Sequence, residues 1–146
     1  MRMNDDVERA RELAWSVLVH EAGDDQTSSG LVAATERALT RLYDRLSSLI
    51  GPDGFNALVR RALHLAMLEW SFLESVTVSA EPSAFRLQGL GACVEGRESA
   101  EVQAGLAAVL GCFFWLLVTL VGENLFNRLM RGVWPDVEFG SEEKHV

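Results

Sequence analysis

The stretch from Gly105 to Phe126, "GLAAVLGCFFWLLVTLVGENLF", decides the fold. It carries no charge until Glu123, and the 19 positions from Ala104 to Gly122 are all uncharged. As a helix rising about 1.5 Å per residue, that run is about 30 Å long, enough to cross a bilayer. A membrane anchor and the central helix of a soluble bundle both satisfy it. Three features of the surrounding sequence favour the bundle. The helical pattern continues past Glu123 through "ENLFNRLMRGVW", with Leu125, Leu129 and Met130, where a lipid span would end in flanking basic or aromatic residues. Basic residues are sparse and similar on the two sides, so they give no orientation signal. The earlier segments carry wide apolar stripes that need a common partner, and this helix supplies it.

Those earlier segments read as follows. From about Asp5 to Ala22, Val7, Ala10, Ala14, Val17 and Leu18 recur at helical spacing, with Glu8, Arg9, Arg11 and Glu12 opposite. Asn4 or Asp5 can accept the free amides at its start, and Gly23 stops it. A second helix, about Gly30 to Ile50, lines up Leu31, Thr35, Ala38, Leu42, Leu46 and Leu49, while Glu36, Arg37, Arg41, Asp44 and Arg45 face away. Gly51 and Pro52 end it, and Asp53 is placed to cap a third helix from about Gly54 to Ser75. The stretch "VTVSAEPSAFRLQGLGACVEGRES" is the least regular, with a short helical turn expected around Phe85 to Val94. Its "VTV" can extend, but a lone short strand has no partner, so no sheet is expected. Ser99 is placed to cap a fourth helix that runs to about Gly132 and ends at Trp134-Pro135.

The expectation is therefore an all-α protein, an antiparallel bundle of four main helices with a short helical segment in the 76–98 connection. Residues 1–135 form a single domain and 136–146 a loose acidic tail. With 146 residues, 49% of them hydrophobic, the chain can build a real core. A formal charge of −8 argues against nucleic acid and against an anionic membrane surface, both of which need a basic face. Cys93 and Cys112 lack metal-ligand or redox spacing and read as buried thiols of a cytoplasmic protein.

The fourth helix has two unlike faces. Leu106, Leu110, Phe113, Leu117 and Val121 form a stripe of large residues. Opposite them lie Ala104, Ala108, Gly111, Cys112, Trp115, Thr119 and Gly122, mostly small. Small side chains let another helix approach closely. Three modest helices cover one side, so the second side is expected to meet a second copy in a two-fold homodimer. The alternative is that residues 76–98 fold over it within one chain.

One carboxylate is out of place. Helical geometry puts Glu69 near the centre of the third helix's apolar face, among Leu58, Val59, Ala62, Leu65, Ala66 and Phe72. A charge there costs several kcal/mol, roughly 3 or more, unless paired. Arg128 and Arg131 of the fourth helix, with Asn124 adding a hydrogen bond, are the expected partners. With Trp70 they would make a polar pocket for a small ligand. The alternative is that Glu69 lies nearer the rim and reaches water.

No catalytic motif emerges. His64 falls beside Arg60 on the polar side of its helix, and Glu142 with His145 has a Glu-x-x-His spacing but no second copy. There is no HExxH, no Walker sequence and no GxSxG elbow. "GLGACVEG" lacks a preceding strand and a third glycine in register. No cofactor and no metal are expected. The leading expectation is a non-enzymatic interaction or regulatory module that self-associates through the apolar helix over 100–132 and engages a protein partner. A small-molecule-binding domain with the Glu69, Arg128 and Arg131 pocket is the alternative. A tail-anchored membrane protein spanning 104–122 is the third.

Overall fold

The computed structural model describes residues 2–79 and 87–137, with side chains from residue 6 onward. It is an all-α protein. The helices are α1 (Arg2–Ala22), α2 (Ser28–Ile50), α3 (Pro52–Glu69), the short α4 (Leu90–Cys93), α5 (Ser99–Val121) and α6 (Glu123–Val133), with a 3-10 turn at Ser71–Ser75. The apolar run of the opening stretch is α5, and it sits at the centre, packed by α1, α3, α2 and α6. The stripes expected on α1 and α2 face it. Ala14, Val17 and Leu18 are fully buried, as are Leu31, Thr35, Ala38, Leu42 and Leu46. Leu49 leaves the pattern and is exposed, because it lies one residue before the end of α2. Thr35 is tolerated in the core because its hydroxyl donates to the Leu31 carbonyl at 2.9 Å.

Local chemistry differs from expectation at several termini. α1 begins at Arg2, ahead of Asn4 and Asp5, whose side chains lie outside the description. α2 begins at Ser28, two residues ahead of the expected start, because Thr27 caps it by accepting from the Gly30 amide at 3.1 Å. α3 begins at Pro52, where the fixed φ of proline suits the first helical position, so Asp53 is in the first turn and is not the cap. α5 is preceded by Glu98 in extended conformation, and Ser99 is already helical.

Two corrections concern topology. The fourth helix is not continuous to Gly132: the chain breaks at Gly122, whose φ of 90° lies where side chains are disfavoured. The Gly122 amide donates to the Val118 carbonyl at 2.7 Å, closing α5, and its carbonyl accepts from the Phe126 amide at 3.0 Å, opening α6. Also, a small sheet exists. Thr77–Val78 pairs antiparallel with Leu87–Gln88, in the register Thr77 to Gln88 and Val78 to Leu87. The partner strand is supplied by the same irregular stretch folding back on itself. The helical turn expected there is confined to Leu90–Cys93, and Phe85 lies outside the described residues, as do Glu142 and His145 in the tail.

The aromatic core runs beside α5. Phe55 packs on Phe113 at 5.3 Å between ring centroids, and Phe114 packs edge-on to Phe126 at 5.5 Å and to Trp134 at 6.5 Å. These offset and edge contacts link α3, α5 and the end of α6 through one apolar layer.

Candidate functional site

α1 presses on the backbone of α5 at Gly111. A Cβ on that glycine would stand 3.0 Å from the Arg11 Cα, so only glycine admits this approach. Along α5 beyond that point, the two helices and the start of α6 leave a groove of about 530 Å³ between them. Its floor is apolar: Leu13 from α1, Phe114, Trp115 and Val118 from α5, and Phe126 from α6. Asp6, Arg9 and Glu12 of α1 and Glu123 of α6 stand along its edges. Arg9 approaches Glu123 at 3.8 Å with both side chains more than half exposed, a weak pair. Neither Asp6 nor Glu12 has an ion-pair partner among the described residues.

The small-residue face of α5 divides at this groove. Ala108, Gly111 and Cys112 are buried within the chain, with Gly111 pressed on α1. The expected contact surface for a second copy is thus occupied there by α1, which leaves no room without opening the fold. Ala104 is half-buried near the start of α5. Trp115 is half-buried in the groove, and Thr119 and Gly122 are exposed. On the large-residue stripe Leu106, Leu110, Phe113 and Leu117 are fully buried, and Val121 is half-buried.

The polar pocket expected around Glu69 is not assembled. Glu69 is the last residue of α3, so it sits at the helix end and is about half exposed. Its partner is Arg11 of α1, at 2.5 Å, and not Arg128 or Arg131. The break at Gly122 redirects α6, which packs on α5 and α2, and Asn124, Arg128 and Arg131 are all exposed there. Trp70 caps α3 with its amide donating to the Ala66 carbonyl at 2.8 Å, while its indole N–H has no partner among the described residues.

A different carboxylate is the buried one. Glu21, at the end of α1, has a side chain only 5% exposed. It accepts from the Trp134 indole at 2.7 Å, and Arg41 and Arg37 of α2 approach it at 2.7 and 3.4 Å. Arg37 also donates to the Glu21 backbone carbonyl at 2.7 Å. The cluster ties α1, α2 and the end of α6 together. Sequence reading placed Arg37 and Arg41 on the solvent face, yet their i,i+4 spacing was the available signal: two guanidinia one turn apart cradle one carboxylate.

Burial pushes both thiols above the ordinary cysteine range. At Cys112 the nearby Arg11 opposes that rise and Glu69 adds to it, while at Cys93 Arg97 opposes it. Thiols shifted this way are weak nucleophiles and poor metal ligands at neutral pH. Among the described residues no group of three or more His, Cys, Asp or Glu side chains comes together as a metal site. His64 is exposed, beside Arg60 and Glu74 in a shallow cleft of about 260 Å³. α5 is long and apolar enough to cross a membrane by length and composition, and just over half of its most apolar window is buried inside the fold. No protein-family model, no curated protein and no solved structure matches the chain.

Proposed function

We propose that this protein is a non-enzymatic helical interaction module whose working face is the groove between α1, α5 and α6. The carrying observation is that groove's floor, where Trp115 stands half-open beside the buried Phe114 and Phe126. A rigid aromatic floor continuous with the core presents apolar area without the entropic cost of ordering it. The polar lining consists of carboxylates, an arginine, two hydroxyls and an amide, a set suited to orienting a bound surface. Free Cys93 and Cys112 suit a reducing, cytoplasmic setting.

Self-association is a second reading, favoured by the open end of α5, where Leu120 is 59% exposed beside Thr119 and Gly122. A homodimer would then use only this end of the expected interface. The groove also falls within the roughly 300–1,000 Å³ of small-ligand sites, at a place other than the Glu69 pocket.

Val118→Arg, at a half-buried position in the groove floor, tests the reading. The wild type is expected to bind an environment-sensitive apolar dye, and the variant to lose that binding while melting at an unchanged temperature. Equal dye binding by both proteins would remove the groove as the working face. Sedimentation of the same two proteins reports separately whether copies associate.

A further inference from the structure

We infer that the α1–α5–α6 groove receives one amphipathic helix of a partner protein, apolar on its docked face and rich in lysine or arginine along its edges. This rests on the groove's being the working face and commits it to one occupant.

Backbone chemistry selects a helix. Both long walls are helices, whose amides and carbonyls are already bonded internally, so they offer no row of donors and acceptors to an extended peptide. A guest that satisfies its own backbone and contributes only side chains fits such walls. The length agrees. The α1 wall from Asp6 to Ser16 runs about 15 Å, or between two and three turns of a guest helix, and faces an α5 wall of about 8 Å from Phe114 to Thr119 together with Glu123, Phe126 and Asn127 of α6.

Charge selects the sign. Among the described residues Asp6, Glu12 and Glu123 edge the groove against Arg9 alone, which leans toward Glu123 in a weak pair. Asp6 and Glu12 have no cation of their own among the described residues, so both are available to lysine or arginine from outside. A second copy is a worse occupant, because a chain with a formal charge of −8 brings like charge to an acidic edge.

The test uses a synthetic amphipathic helix of about three turns, with leucine on one face and lysine elsewhere. A twin peptide carries glutamate in place of every lysine. Calorimetric titration of the full chain is expected to show binding of the lysine helix and none, or at least about tenfold less, of the glutamate helix. Because an acidic protein attracts any cationic peptide, the decisive pair of variants differs only in where charge is reversed. Asp6→Lys with Glu12→Lys should weaken binding at least about tenfold, while Glu36→Lys with Asp44→Lys on exposed α2 positions should change it little. Equal weakening by both pairs, equal binding of both peptides, or no binding of the lysine helix overturns the inference. So does a dimer that Val118→Arg dissociates, which would hand the groove to a second copy. Loss of dye binding in Val118→Arg together with a silent lysine helix would leave the groove as the working face and reject only this occupant.

Discussion

Past its polar first turn α5 is uncharged to its end, yet its two parts live in different surroundings. From Val102 to Phe114 the helix is enclosed, with Leu106, Leu110, Phe113 and Phe114 fully hidden and Gly111 against α1. From Trp115 to Val121 only Leu117 is fully buried, Trp115, Leu116, Val118 and Val121 are half-covered, and Thr119 and Leu120 face outward. Charge does not separate the two, since neither carries any, although the enclosed part holds the alanines and glycines and the second part is nearly all large. What separates them is the neighbour. α1 comes down to backbone contact at Gly111, and past that point the groove opens between them. The enclosed part is core, and the open part is apolar surface, which is what the proposed interaction face requires.

The largest expected effect lies in the enclosed part. Phe113→Ala removes a fully buried ring that packs on Phe55, and should cost about 3–5 kcal/mol. Urea unfolding at unchanged slope measures it, and a cost near that of an exposed site would mean that α5 is not the centre of the core. Next is the cluster that ties α1 to α2 and to the end of α6. Glu21→Ala leaves the Trp134 indole and two arginines without their shared acceptor, and should cost about 1–3 kcal/mol. The arginines are half-exposed and recover water, which keeps the figure below that of a fully buried pair. Gly111→Ala presses a methyl against the Arg11 backbone where α1 lies on α5 and should cost about 1–3 kcal/mol by the same measurement. If it is silent, α1 does not pin the enclosed part and the contrast between the two parts loses its cause.

Much of this contrast was visible in the sequence, and its limits are instructive. Period alone located the buried stripe of α2, because that helix hides one angular sector along most of its length. Period says nothing about position along the axis, which is why Leu49 and Glu69 were misplaced: both lie in the apolar sector, but at helix ends where the sector reaches solvent. Gly122 was read as a small side chain in an apolar run, although its positive φ makes it the hinge between α5 and α6. That single misreading carried Asn124, Arg128 and Arg131 toward α3, when the turn in fact sends them outward. Glu21 was not singled out because a carboxylate in a last turn looks ordinary until Trp134, 113 residues later, is brought beside it. The groove is legible only in part: Trp115 and Thr119 fall on the association surface that the sequence suggests, but the role of α1 as its other wall needs the tertiary fold.

The smallest expected effect tests the open part at its most exposed point. Leu120 is 59% accessible, so Leu120→Gln removes little buried apolar area from the single chain. Its change in unfolding free energy should stay within about 0.5 kcal/mol, as for a surface site without a special contact. The measurement becomes sharper when run at several protein concentrations. If copies associate through this end, wild-type stability rises with concentration by mass action, and the glutamine variant should lose that rise while matching the wild type when dilute. If the wild type shows no concentration dependence, the exposed leucine serves a different surface, and self-association through α5 is excluded. A loss well above 1 kcal/mol in dilute protein would instead place Leu120 inside the folded chain, and the open part of α5 would not be open.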